Sequence, residues 1–386
     1  MDSLDIMLLR ALANLEASGL KRSMRCVDSI QRTRITIGGR ELLNFSSNDY
    51  LGLASHSALA EAMQQAAHTW GVGSTASRLI CGTSSVHAAL EEELAAAKGT
   101  GGSLVFSTGV AAASGTIPAL VGTQDVVILD KLSHACLIDG ALASQAMMRV
   151  YPHNDLGKLE SHLKWAREKH PGARIMIITE SVFSMDGDLA PLREIVELKE
   201  RYGGILFLDE AHAVGVLGHG AQGLAGMLDL SERVEIQMGT FGKALGVSGG
   251  YIAGSRTLID FLINRARSFV FSTAPSPAIA AACRAALRIV QSKEGTVLRN
   301  RLDQNRSLLA SELKIPVPQS AIVPLILGRE EDALRESARL LDAGFFVPAI
   351  RYPTVPRNTA RLRVTLSAPH DVEQIRKLAG VLLQNS

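Results

Sequence analysis

Six short apolar runs, at 103–106, 126–129, 174–179, 205–208, 234–238 and 251–253, alternate with stretches of helical periodicity, and this alternation constrains the fold more than any single motif. Runs so short and so evenly apolar read as strands buried on both faces, the mark of a parallel sheet crossed by helices. The expected fold is therefore α/β, with a mainly parallel central sheet and helices on both faces.

The flanks differ. Leu8, Leu12 and Leu15 recur at helical spacing and predict a helix across 4–25, and Gly38-Gly39 turns between two short strands. Segments 58–70 and 86–98 read as helices with a mobile loop at 71–78 between them, and a long helix is expected across 277–292. Beyond about 296 a helix, a strand at 321–327, a second helix and a strand at 361–366 suggest an α+β unit. Three regions follow: 1–45 with the N-terminal helix and short strands, a large domain at 46–292, and a small α+β domain at 293–386. A chain of 386 residues has room for one large domain and one smaller one.

Charge narrows the partners. Lys and Arg number 40 against 38 Asp and Glu, a formal +2 with no long basic run, so neither nucleic acid nor an anionic membrane is favoured. Cys26, Cys81, Cys136 and Cys283 lie far apart and form no C-x-x-C pair, which argues against a zinc knuckle or a disulfide framework and for a reducing compartment. No stretch approaches the roughly 18 apolar residues of a spanning helix, and the start lacks the features of a signal peptide. A cytoplasmic enzyme without a bound metal is the expectation.

Asp209 closes the apolar run Gly204-Ile205-Leu206-Phe207-Leu208-Asp209, and ligands of open α/β sheets collect at the carboxyl ends of such strands. An acidic residue there can keep the ring nitrogen of pyridoxal phosphate protonated, while Lys243, in the small-residue turn Thr240-Phe241-Gly242-Lys243-Ala244-Leu245-Gly246, can hold its aldehyde as a Schiff base. His212 follows within reach of the same pocket. Each residue alone has an ordinary reading, since an Asp at a strand end forms caps and turns and a Lys in a Gly-rich turn is a solvated charge. The conjunction points to the cofactor.

Other strand ends add candidates: His134 in Ser133-His134-Ala135, and Ser184 in Ser181-Val182-Phe183-Ser184. Gly109 and Val110 open an Ala-rich helix whose N–H groups can face a phosphate. Arg361 and Arg363 alternate along a strand, either to grip a carboxylate or as solvated charges.

Three motifs compete. Gly71-x-Gly73-x-x-Ala76 matches a dinucleotide fingerprint but follows a helix rather than a strand, and Gly239 to Lys243 lacks the Ser or Thr and the glycine spacing of a phosphate loop. Gly246-Val247-Ser248-Gly249-Gly250 matches the nucleophile elbow of serine hydrolases, yet the strand expected at 234–238 ends well short of Ser248 and only His370 follows as a base.

Taken in order, Asn44-Phe45-Ser46-Ser47-Asn48-Asp49-Tyr50-Leu51-Gly52, Ser133-His134, Ser184-Met185-Asp186-Gly187-Asp188, Asp209-Glu210-Ala211-His212, Thr240-Phe241-Gly242-Lys243, Pro353-Thr354-Val355-Pro356 and Thr359-Ala360-Arg361-Leu362-Arg363 resemble the α-oxoamine synthases, fold-type I pyridoxal phosphate enzymes, from about Leu20 to the C-terminus. The resemblance implies that Lys243 is the Schiff-base lysine, Asp209 the pyridinium partner and His134 the ring-stacking residue. His212 would bond the phenolic oxygen, while Gly109, Val110, Ser184 and Thr240 would line the cofactor. Arg22, Asn48, Thr354 and Arg363 would contact substrate, Arg363 through the amino-acid carboxylate. The member most resembled condenses L-alanine with a pimeloyl thioester, carried by coenzyme A or acyl carrier protein, in biotin biosynthesis. Glycine-using sister enzymes that take acetyl-CoA or succinyl-CoA are the alternative. The family also implies a homodimer with shared active sites. Val110 and Ala113 depart from the aromatic residue and the Asn common in relatives. A cofactor-free binding subunit is the non-enzymatic alternative, against which stands the retention of Lys243, Asp209 and His134 together.

Overall fold

The computed structural model describes residues 3–384, and the chain divides into two compact units. The larger comprises Asn48–Ser184 and Asp188–Leu302, and the smaller Met1–Ser47, Met185–Gly187 and Asp303–Ser386. The N-terminal segment, read from the sequence as a region of its own at 1–45, thus groups with the C-terminal part of the chain.

The larger unit is built on a seven-stranded sheet. Its strands, in chain order, are β1 (Gly102–Phe106), β2 (Val126–Asp130), β3 (Met147–Tyr151), β4 (Ile175–Glu180), β5 (Ile205–Asp209), β6 (Ile236–Thr240) and β7 (Gly250–Gly254). They lie in the order β1-β7-β6-β5-β4-β2-β3, and only β7 runs antiparallel to its neighbours. The α/β expectation holds in this unit. Val127, Leu129, Met176, Ile178, Phe207, Ile236, Met238 and Ile252 alternate along the strands, and all are at least 98% buried in one core with Ala112, Ile117, Leu137 and Leu262 of the covering helices. Each such aliphatic side chain contributes about 1.5–3 kcal/mol on burial.

Local chemistry fixes the helix starts. Thr108 accepts the Ala111 N–H and caps the helix Gly109–Leu120, and Ser276 caps Pro277–Gln291, whose leading proline suits the first helical turn.

Several boundaries differ from the sequence reading. β6 runs to Thr240, two residues past the expected end, because its antiparallel ladder continues to the pair Thr240–Gly250. β3 was not expected: it is an edge strand with Met148, Arg149 and Val150 exposed, so it shows no clean apolar run. The segment expected as a mobile loop at 71–78 ends at a buried Arg78, whose guanidinium meets both carboxylate oxygens of Glu91 at 3.0 and 2.9 Å. The Gly71 motif follows the helix Ser57–Trp70, as the sequence suggested.

In the smaller unit, Arg34–Ile37 and Arg40–Asn44 form the expected hairpin, and Arg40–Asn44 also pairs with Phe345–Phe346. Ala360–Thr365 is the centre of a second sheet, between Ile322–Gly328 and Ala349–Ile350. The N-terminal helix is shorter than expected, Leu4–Ala17, and none of its residues is buried. Among the described residues no helix is long and apolar enough to cross a membrane.

Candidate functional site

Because β7 alone is reversed, β1, β2, β4, β5 and β6 deliver their carboxyl ends to one edge of the sheet. Gly109, His134, Glu180, Asp209 and Thr240 leave from that edge, with Ser184, His212 and Lys243 on the loops just beyond.

Asp209 is 5% exposed, and its Oδ1 accepts the Ala211 N–H at 2.8 Å. Burial raises its pKa, against the opposing charge of Lys243 and the Ala211 hydrogen bond. The opposing charge of Lys243 and the Ala211 hydrogen bond favour the carboxylate, the form that can accept a hydrogen bond from a protonated ring nitrogen.

His134 caps the helix Ala135–Ser144. Its Nδ1 accepts the Cys136 N–H at 3.2 Å and lies 3.0 Å from Cys136 Sγ. Protein atoms desolvate the ring and lower its pKa, while Asp209 pulls the other way and Lys243 reinforces the drop. Burial pushes the Cys136 thiol up to about 12, so sulfur is present as S–H. His134 is thus a neutral imidazole in the joint field of Asp209 and Lys243, and these three residues share one electrostatic neighbourhood.

Two residues without a role in the sequence reading join them. Glu180 pairs in register with Asp209 across β4 and β5, and its Oε1 accepts the His134 backbone N–H at 2.5 Å. Burial raises its pKa well above the carboxylate range, with the Asp209 charge adding to the effect. The Tyr50 hydroxyl donates to Asn48 Oδ1 at 3.3 Å and lies 2.5 Å from His212 Nδ1, so Asn48, Tyr50 and His212 form one chain. Both had a legible signal: Glu180 closes an apolar run as Asp209 does, and Tyr50 lies within the Asn44 to Gly52 motif.

The phosphate end fits as well. The Thr240 and Ser133 hydroxyls are buried without a hydrogen-bond partner. A Cβ at Gly109 would sit 2.6 Å from Thr240 Cγ2, and one at Gly250 would sit 2.5 Å from the Gly109 nitrogen. Only glycines allow this approach, which keeps the helix N-terminus clear for an anion. The orphaned Thr240 hydroxyl, the glycine-lined turn and the Asp209–Lys243 pair together match a phosphorylated aldehyde of a pyridine. Val110 is 55% exposed, and Ala113 is fully buried in the sheet-facing core.

Ser248 does not occupy a nucleophile elbow. It lies in the loop between β6 and the antiparallel β7, so a strand rather than a helix follows it. His370 is engaged at both ring nitrogens, by the Ser367 N–H and the Asn44 carbonyl at 2.9 Å each.

The remaining candidates lie in the smaller unit. Arg22 donates to Thr354 Oγ1 at 3.1 Å, at the wall of a cavity of about 920 Å³ that Lys21, Arg25 and Arg351 also line. Arg361 and Arg363 are 4% and 6% exposed, which overturns the reading of both as solvated charges. Arg361 is committed to Asp186 at 2.6 Å and the Met185 carbonyl at 3.2 Å, and Arg363 donates to Thr365 Oγ1 at 3.0 Å. Among the described residues no cluster of His, Cys, Asp and Glu could hold a metal ion.

A model of class I and II aminotransferases matches residues 40–382. The chain belongs to this family. Among curated relatives, it is 48% identical over 377 residues to the 8-amino-7-oxononanoate synthase of Geobacter sulfurreducens, covering 96% of this chain and 95% of that protein. It is 43% identical over 370 residues to the synthase of Fervidobacterium nodosum, covering 94% and 93%. Among solved structures, the serine palmitoyltransferase of Sphingomonas wittichii superposes with a TM-score of 0.92 at 30% identity, over 100% of this chain and 98% of that one. The 8-amino-7-oxononanoate synthase of Francisella tularensis gives 0.76 at 26% identity, over 89% and 97%. As a class I and II aminotransferase-family chain, it thus keeps a fold-type I framework, with the acidic strand end and the loop lysine intact.

Proposed function

We propose that this chain is a pyridoxal 5'-phosphate-dependent acyltransferase with the activity of an 8-amino-7-oxononanoate synthase. It condenses L-alanine with a pimeloyl thioester of acyl carrier protein or coenzyme A, releases carbon dioxide and the carrier thiol, and serves biotin biosynthesis. The observation that carries this reading is 48% identity to such a synthase across 96% of the chain, and the buried Asp209 in the joint field of Lys243 and His134 supports it.

Bound at the sheet edge, the cofactor supplies an electron sink for negative charge developing at the amino acid's α-carbon. The protein's own groups do the rest. The Asp209 carboxylate would accept the N–H of a protonated ring nitrogen, and the neutral His134 would cover the ring. His212, whose Nδ1 lies 2.5 Å from the Tyr50 hydroxyl, would bond the phenolic oxygen. Gly109, Val110, Ser184 and Thr240 would line the cofactor, with Thr240 and the N–H groups of Gly109 and Val110 near the phosphate. Lys243 Nζ would hold the aldehyde carbon, and its amine would take the α-proton. Arg363 would bind the alanine carboxylate, and Arg22, Asn48 and Thr354 would contact substrate.

The reading includes a homodimer with shared sites. Val72, Ile80 and Phe271 are 79%, 80% and 73% exposed on segments joined by the Ser77–Thr273 bridge, an apolar surface of the kind that subunits bury. It also includes a cytoplasmic location, supported by the exposed free thiols of Cys26 and Cys81.

The test is thiol release from pimeloyl-CoA and from pimeloyl-acyl carrier protein by the pyridoxal phosphate-loaded protein with L-alanine or glycine. One methyl group is worth about 10- to 200-fold in kcat/KM, and alanine is expected to win by at least the lower figure. A glycine preference would move the chain to the sister activities, and no release with either amino acid would sink the assignment.

A further inference from the structure

His153, just past the edge strand β3, has no part in the chemistry above. Its ring stands between two carboxylates, with Nδ1 3.1 Å from Asp130 Oδ1 and Nε2 2.7 Å from Asp188 Oδ2. Both contacts are hydrogen bonds only when both nitrogens carry protons, because a neutral imidazole has one N–H to give. Burial alone would lower the pKa of His153, but the hydrogen bonds to Asp130 and Asp188 and their charges outweigh it and push the value up to about 10. Asn154 repeats the connection. At φ 55° it donates its backbone N–H to Asp130 Oδ2 at 2.8 Å, and its Nδ2 to Asp188 Oδ2 at 3.1 Å and to the Leu189 carbonyl at 3.3 Å. Phe183 meets the imidazole in a T-shaped contact with centroids 4.3 Å apart.

The two carboxylates belong to two different loops. Asp130 ends β2 and shapes the turn that leads to His134: its Oδ1 accepts the Leu132 N–H at 2.8 Å and its carbonyl accepts the Ser133 N–H at 3.1 Å. Asp188 closes the loop that carries Ser184, accepting the Phe183 N–H on its carbonyl at 3.0 Å, next to the bridge between Val182 and Leu189. We propose that His153 is a positioning residue for the cofactor site, a cationic clamp that locks the 130–134 turn to the 182–189 loop and so fixes His134 and Ser184 relative to each other. The inference rests on the assignment of those two residues to the cofactor under the proposed function.

A double-mutant cycle tests it. The pyridoxal phosphate dissociation constant is measured by visible absorbance for the wild-type protein, His153→Gln, Asp188→Asn and the double variant, alongside the urea midpoint of each apo protein. Glutamine must turn a carbonyl toward one of the two carboxylates, and asparagine keeps an acceptor oxygen but no charge. Each single variant should weaken cofactor binding by about tenfold or more, as loss of a hydrogen bond between charged groups implies, and the double variant should bind no worse than the weaker single. Unchanged cofactor affinity in the single variants, with or without a shifted urea midpoint, or losses that simply add, would overturn the clamp. If His153→Gln does not fold, Asp188→Asn decides by the same affinity criterion. A wild-type protein that binds no pyridoxal phosphate would sink the proposed function along with the inference, whereas wild-type binding with unaffected variants sinks the inference alone.

Discussion

Replacing Lys98 by methionine should destabilise the larger unit more than most single changes in the chain. Lys98 ends the helix Ser85–Lys98, and its ammonium meets the carboxylate of Glu210, the residue after Asp209, and the Gln222 carbonyl at 2.6 Å. Both side chains of the pair are 0% exposed. Glu210 also accepts the Ala225 N–H at 2.9 Å, so the pair ties one helix end to the segment behind Asp209. At about 3 Å and an effective dielectric near 20, two unit charges attract by roughly 5 kcal/mol, offset by the cost of taking both from water. Methionine keeps the length of the stem but strands the Glu210 charge, and breaking a buried pair in this way costs about 3–5 kcal/mol. Urea denaturation of the apo protein at neutral pH, followed by far-UV circular dichroism, measures the loss. Lys98→Met with Glu210→Gln leaves an acceptor for Ala225 and no buried charge, and should recover at least about half of it. A single variant that loses less than about 1 kcal/mol, or a double variant less stable than the single, would refute the account.

Two further outcomes follow from the geometry. Lys243→Ala should fold with an unchanged far-UV spectrum and lose the visible band that pyridoxal phosphate gives with the wild-type protein; a surviving band would remove Lys243 from its role. His370 is 1% exposed, stacked on Phe45 at 4.1 Å, and burial lowers its pKa from 6.5 to about 4. A folded pKa below the unfolded one means that the unfolded chain takes the proton first, so this stabilisation is complete above about pH 6.5 and is lost as pH falls toward 4. The shift corresponds to at most about 3 kcal/mol. Urea midpoints of wild type and His370→Asn should therefore converge across that window, and parallel profiles would contradict the assignment.

The fold was legible where one residue's environment is the same on every side. Buried strands such as Ile205–Asp209 see apolar neighbours above, below and beside, so hydrophobicity alone marks them. The edge strand Met147–Tyr151 has a neighbour on one side and solvent on the other, and its Arg149 breaks the run. The N-terminal helix was overdrawn for a related reason: an apolar stripe gives a period but no stop, and the chain leaves the helix at Ser18 and Gly19, the latter at φ 65°.

The same distinction separates the parts of the site. Lys243, Asp209 and His134 were readable because each sits at a position that the order of strands fixes, the carboxyl end of a parallel strand or the loop after it. Glu180 and Tyr50 depend on pairing between distant segments. Glu180 matters because the register of β4 against β5 sets it beside Asp209, and Tyr50 because it meets a histidine 162 residues away. Register also changes the chemistry of what it brings together: the Asp209 charge adds to burial in raising the proton affinity of Glu180. The motif around Asp209 places one acid, and the register of the adjacent strand places a second beside it.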